Sequence, residues 1–184
     1  MEMKKVFIII GSIIGLLTLV VVIFLALMGM FSSPKAVEKE MGPYFYVYEE
    51  FIGPYQNTGP VFDKVYKAMT DAGIKSTLGI GAYLDNPSEV PDEKLHSQCG
   101  AIYDIADSAK VEKLLPTYKL GKIEKKTFVV VEFPIKGAMS YMIGPVKCYP
   151  VLAKYFEEKG MKAVESYEIY DMPNKVTYYI MAGQ

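Results

Sequence analysis

Between Lys5 and Lys35 the chain carries no charged residue, and from Val6 to Phe31 it reads VFIIIGSIIGLLTLVVVIFLALMGMF. As a helix rising ~1.5 Å per residue this stretch reaches roughly 39 Å, more than the ~30 Å hydrocarbon core of a bilayer, so one tilted span fits. Lys4 and Lys5 would also serve as the basic end of a cleaved signal. However, the apolar part of a signal is normally ~7–15 residues long and ends at a small-x-small site. Ala26, the only alanine before Ala36, is followed by Leu27 and Met28. An uncleaved signal-anchor over 6–31 is therefore expected, making a single-pass membrane protein held in the lipid bilayer by these residues. Lys4 and Lys5 flank one end of the span and Lys35 and Lys39 the other. The first pair lies directly against the span, which favours N-in with the rest of the chain outside or periplasmic. Ser32, Ser33 and Pro34 stop the helix and open a juxtamembrane linker over 32–40.

Past the span lie about 150 residues, enough to bury roughly 70% of their unfolded surface without staples. Charge narrows the function: the net value is -1, with twenty lysines and no arginine. A nucleic-acid surface needs a basic face and usually arginine forks, so no nucleic acid is expected as a partner. Cys99 and Cys148 are too few for a disulfide framework and have no zinc spacing, and one histidine, His96, cannot build a metal site. No metal and no cofactor are expected.

The body of the chain repeats itself. Residues 44–51 alternate as a strand with aromatics on both faces, Gly53-Pro54-Tyr55 turns, and a helix opens at Thr58-Gly59-Pro60 with Val61, Phe62, Val65, Tyr66 and Met69 on one stripe. It ends at Gly73, and strands are expected next over 77–84 and 99–105. The second half runs in the same order. Strands are expected over 127–133 and 138–143, then a Gly144-Pro145 turn, a helix with Val151, Leu152, Tyr155 and Phe156, and strands over 164–170 and 176–182. Gly53-Pro54 lies 91 positions before Gly144-Pro145, Pro60 lies 90 before Pro150, and Tyr83 lies 87 before Tyr170. That drift implies a second helix slightly shorter than the first. Residues 106–125 read as a short helix and a connector.

Two copies are too few for a solenoid. The expected class is α+β: two pseudo-symmetric halves, about 41–106 and about 126–184, forming one curved antiparallel sheet with two helices, preceded by one transmembrane helix. A groove is expected between the halves of this 41–184 domain.

Tyr83-Leu84-Asp85-Asn86-Pro87 with Val90-Pro91 in the first half, and Glu168-x-Tyr170 before Asp171-Met172-Pro173 in the second, stand in an order that resembles the GyrI-like domain. That family of effector-binding modules takes its name from a gyrase-inhibitory protein. The likeness spans about residues 41–182. Phe51 to Gly59, with the Asp85-Asn86-Pro87 loop, is similar to a membrane-anchored branch that includes an endoplasmic-reticulum autophagy receptor.

The resemblance implies a groove that binds a small aromatic or cationic ligand, with an acidic strand residue among aromatics. By motif that residue is Glu168, with Tyr170 on the same strand face. A carboxylate in an aromatic cleft balances a ligand's charge, and each ring face adds cation-π attraction of ~0.5–2 kcal/mol. Tyr48, Tyr55 and Tyr83 join the candidates by their positions at strand ends and at the Gly-Pro turn. Their alternative role is core or rim, and that of Glu168 a solvated strand charge. Three other functions stay open. One is a protein-interaction module facing a membrane protein partner. Another is a hydrolase using a cleft Glu/Tyr pair, although no catalytic residue can be assigned. The third is a haem site on His96.

Overall fold

The computed structural model describes residues 2–115 and 117–184. Its first element, α1 (Glu2–Leu27), buries none of its residues and is long and apolar enough to cross a membrane. Then come β1 (Ala36–Met41), β2 (Tyr44–Ile52), α2 (Gly59–Asp71), β3 (Leu78–Tyr83), β4 (His96–Tyr103), α3 (Ser108–Val111) and β5 (Lys119–Ile123). The chain continues through β6 (Lys126–Pro134), α4 (Ser140–Glu158), β7 (Ala163–Asp171) and β8 (Val176–Gly183).

All eight strands form one antiparallel sheet in the order β1-β6-β8-β7-β3-β4-β2-β5, which has the same pattern from both ends when the halves are exchanged. Each half contributes a strand to the other's edge: β1 pairs with β6, and β5 pairs with β2. The register is unchanged across the two joints, with Ala36 opposite Val131 and Tyr44 opposite Ile123. β1–β2 and β5–β6 are therefore two long bent strands crossing in one ladder, which curls the sheet into a half-barrel. The bend falls at Gly42-Pro43. Proline offers no N–H to the ladder, and Gly42, at φ 84°, packs against the Glu124 carbonyl.

Alternation in the strands divides the core in two. Inside the curl lie Tyr46, Ile80, Ile102, Phe128, Val130, Ile169 and Ile180, rimmed by Tyr44, Tyr48, Tyr167 and Tyr178. On the outer face α2 sets Val65 and Met69 on Val47, Ala101 and Tyr103. There α4 sets Ile143, Cys148, Leu152 and Phe156 on Val129, Val131, Phe133 and Tyr179. The α2 stripe is the expected one, with Pro60 in its first turn and Gly73 at φ 71° just past its end. The two helices cover the outer strands of their own halves, so the central strands β3 and β7 form the floor between them.

Several expectations are corrected. Residues 138–143 do not form a strand; from Ser140 they belong to α4, and Gly144-Pro145 lies inside that helix rather than in a turn. The buried residues Ile143, Cys148, Leu152 and Phe156 keep helical spacing through both prolines. Gly144 is required by contact rather than by turning: a Cβ there would sit 2.1 Å from the Tyr179 hydroxyl. The second helix is consequently the longer one, 19 residues against 13. Residues 36–40, read as linker, are paired in β1. The connector over 106–125 hides β5, whose alternation is masked because Leu120 is exposed and lysines stand on both sides of the Leu120-Gly121 pair.

Candidate functional site

The centre of the floor between the two helices is the pair Gly81 and Glu168, opposite each other on β3 and β7. Both face the helix side, as does Tyr179, which pairs with Glu168 from β8. A glycine opposite the carboxylate leaves the space a side chain would fill. A Cβ at Gly81 would meet Tyr83 at 3.0 Å and Phe62 at 3.3 Å, and one at Gly79 would meet the Tyr66 hydroxyl at 2.9 Å. The two glycines let aromatic rings settle onto the floor.

Two residues beyond the central pair in each strand stands a tyrosine, Tyr83 in β3 and Tyr170 in β7. Tyr170 pairs with Gly79, four positions from Tyr83, so the two backbones are ~13 Å apart along the strands. The side chains lean back over the centre, and their hydroxyls meet at 2.9 Å. Tyr170 donates to Glu168 Oε2 at 2.8 Å, and Tyr149, from α4, donates to Oε1 at 2.9 Å. With the Tyr170 proton committed to an ionised Glu168, Tyr83 is the donor to Tyr170.

Rings close the site. Phe62 from α2 and Tyr141 from α4 both stand edge-on to Tyr170, at 5.5 and 5.7 Å between centroids, and Tyr149 stands edge-on to Tyr179. The Tyr66 and Tyr179 hydroxyls are buried without a hydrogen-bond partner among the described residues.

Glu168 is 3% exposed and has no cationic partner among the described residues. Burial pushes its carboxyl up to about 7, although the hydrogen bonds from Tyr170 and Tyr149 pull the other way. The same burial, with the Glu168 charge beside them, drives the Tyr83, Tyr149 and Tyr170 phenols well above their ordinary range, so all three remain protonated donors. The cleft thus offers a negative charge in an apolar, aromatic cage.

Of the residues singled out from sequence, Glu168, Tyr170 and Tyr83 come together here. Tyr55 lies behind them: its ring is edge-on to Tyr83 at 4.8 Å, while its one hydroxyl proton points between the Asp85 carbonyl at 2.9 Å and the His96 carbonyl at 3.2 Å, and its oxygen accepts from the Asp85 N–H. It braces the β3–β4 loop. Tyr48 lies apart from them: it points into the curl beside Tyr46, on the opposite face of the sheet from Glu168. A strand residue one position from Val47, which packs on α2, must face away from the helices. His96 opens β4 at the surface, its Nδ1 2.8 Å from Asp85 Oδ2. Phe62, Tyr66, Tyr141, Tyr149 and Tyr179 were not among the sequence candidates. The spacing of Phe62 and Tyr66 along α2 was the available signal.

The sequence matches no family model and no curated protein. Its fold does have solved counterparts. The crystal structure of the EcmrR C-terminal domain is similar at a TM-score of 0.59 and 16% identity, covering 82% of this chain and 98% of that one. SAV2435, solved bound to tetraphenylphosphonium, is similar at a TM-score of 0.52 and 13% identity, covering 82% of this chain and 94% of its own. EcmrR in a cryo-EM complex with DNA gives a TM-score of 0.54 at 18% identity, over 83% of this chain and 58% of that one. At these identities the likeness is one of fold, and the fold is the GyrI-like one that the sequence motifs implied.

Proposed function

We propose that this chain is a membrane-anchored GyrI-like module that binds a small amphipathic or cationic molecule in the cleft over β3 and β7. Residues 6–31 are its anchor, as in the membrane-anchored branch of the fold, and the domain lies outside or in the periplasm. Glu168 supplies the counter-charge; Tyr83, Tyr149, Tyr170 and Phe62 supply the walls.

The observation that carries this reading is the carboxylate itself, sealed among rings with no cation beside it among the described residues. An uncompensated charge in such a place is costly for a fold that has no use for it. A ligand with delocalised positive charge removes the cost and gains contact with aromatic faces. The cleft is closed over by Tyr83 and Tyr170, so binding requires these two hydroxyls to part and the rings to turn outward. SAV2435 holds a cation of this type, four aromatic rings about one phosphonium centre.

The test is a titration of the full chain in detergent micelles with tetraphenylphosphonium, on wild type and on Glu168→Gln. Saturable binding to wild type that weakens at least tenfold in the variant is expected, and equal binding by both overturns the assignment. Protease protection in sealed vesicles tests the orientation. A domain digested from the cytoplasmic side overturns it.

A further inference from the structure

The end of α1 does not hang free of the domain. Gly29 is buried, and a Cβ on it would lie 3.1 Å from the Phe133 ring. Met28 and Met30 pack on the core beneath α4 together with Met139, and the Met28 sulfur lies against Gly137. Leu27, the last residue of α1, is therefore directly followed by a residue in contact with the segment that starts α4.

That segment carries an apolar, basic surface. Tyr141, Met142 and Val146 on α4 are exposed, and so is Met172 in the β7–β8 turn, where the Tyr141 hydroxyl donates to its sulfur at 3.6 Å. Beside them a hollow of about 460 Å³ is lined by Ile135, Lys136, Gly137, Met172 and Lys175. Lys136 and Lys175 are exposed and form no ion pair among the described residues, whereas Lys39, Lys64 and Lys126 each face a carboxylate elsewhere on the domain. The same surface is the doorway of the cleft, because Tyr141 stands edge-on to Tyr170.

We propose that this rim rests on the headgroup layer of the bilayer that holds α1, so that the cleft opens onto the membrane surface rather than into bulk water. The inference rests on α1 being a membrane anchor, as proposed above. Chain continuity places the surface there: Gly137 touches Met28, and Tyr141 comes one helical turn later, ~5 Å further on. The interfacial zone on each side of the hydrocarbon is about that deep. Its composition fits the place, with a tyrosine at headgroup level, methionine and valine reaching toward the acyl chains, and lysines for anionic lipid. A lipophilic cation that has partitioned into that layer then reaches Glu168 past Tyr141 and Tyr170 without crossing water.

The experiment uses the full chain in vesicles of mixed phosphatidylcholine and phosphatidylglycerol, with an environment-sensitive dye on Met142→Cys, on Met172→Cys and, as reference, on Lys67→Cys in α2. The native Cys99 and Cys148 are buried and do not compete for the label. Blue-shifted emission at 142 and 172, quenched by nitroxides on the lipid, with water-like emission at 67, is the expected result. The double change Lys136→Glu, Lys175→Glu should reduce that quenching. Protein that stays with the vesicles through an alkaline-carbonate wash but shows water-like emission at 142 overturns the docked rim and leaves the anchor standing. Release by carbonate overturns both.

Discussion

Tyr83 and Tyr170 occupy matching places in the two halves, 87 residues apart in sequence, and join their hydroxyls at 2.9 Å over the centre of the sheet. The bond is where the pseudo-symmetry turns into chemistry. Position 81 is glycine in one half and position 168 glutamate in the other, so a symmetric pair of tyrosines serves a single carboxylate. The proton order runs from Tyr83 to Tyr170 to Glu168, and Tyr149 serves the remaining oxygen.

Removing the middle of this chain of donors should expose its value. Tyr170→Phe leaves Glu168 Oε2 without its donor, and a lost hydrogen bond to a charged group costs ~1.5–3 kcal/mol. The loss is expected above neutral pH, where the carboxyl is ionised, and should shrink by about pH 5, below the raised carboxyl value. Denaturant melts of wild type and variant at the two pH values measure it, and a pH-independent loss would count against the assignment.

Glu168 also adds a pH dependence of its own to the stability of the domain. Its carboxyl is raised from 4.5 to about 7 on folding, so the folded state holds the proton more tightly than the unfolded chain. The Glu168 contribution to stability is then greatest below the unfolded value and falls as pH rises through the window from 4.5 to about 7, by roughly 3 kcal/mol in all. Glu168→Gln should flatten that slope. In the ligand-binding reading, a cation needs the ionised form, so affinity rises through the same window.

Gly144→Ala tests why α4 carries a glycine and a proline near its start. The added methyl would sit 2.1 Å from the hydroxyl of a fully buried Tyr179, so the ring or the helix must shift to admit it. Overpacking of this kind costs ~1–3 kcal/mol, to be read as a lower thermal midpoint.

Tyr55→Phe should loosen the loop between β3 and β4 without removing a wall of the cleft. One donated bond, shared between the Asp85 and His96 carbonyls, and one accepted from the Asp85 N–H are lost, at ~0.5–1.5 kcal/mol each before water replaces them. Faster amide exchange over 84–95 is the expected readout.

Tyr48→Ala separates the two faces of the sheet. It should lower stability, because the ring packs beside Tyr46 in the curl, and leave tetraphenylphosphonium affinity within about twofold of wild type. A roughly tenfold loss of affinity would mean that the ligand sits inside the curl instead.

Periodicity made much of this legible in the sequence. The alternation of residues 44–51 and the stripe from Val61 to Met69 with its proline start and glycine stop are local patterns, fixed by backbone geometry within a few residues, and the recurrence of Tyr83 at Tyr170 follows from the same local order appearing twice. The apolar run before Lys35 is legible for the same reason. Where a local rule had two readings the sequence misled, as at Gly144-Pro145: Gly-Pro usually turns a chain, and only the position of Tyr179 shows that this glycine is there for closeness.

Glu168 and Tyr170 entered as candidates through the motif they share with the GyrI-like domain and Tyr83 through its place at a strand end, while strand alternation explains only why Glu168 and Tyr170 share a face. Tertiary structure alone decided the exchange of β1 and β5 between halves, the placing of Tyr48 on the face opposite Glu168, and the arrival of Tyr149, Tyr141 and Phe62 around the carboxylate. Those outcomes depend on which strands pair and how two helices straddle the sheet. Such contacts join residues far apart in the chain, as Tyr149 and Glu168 are, and no local period records them.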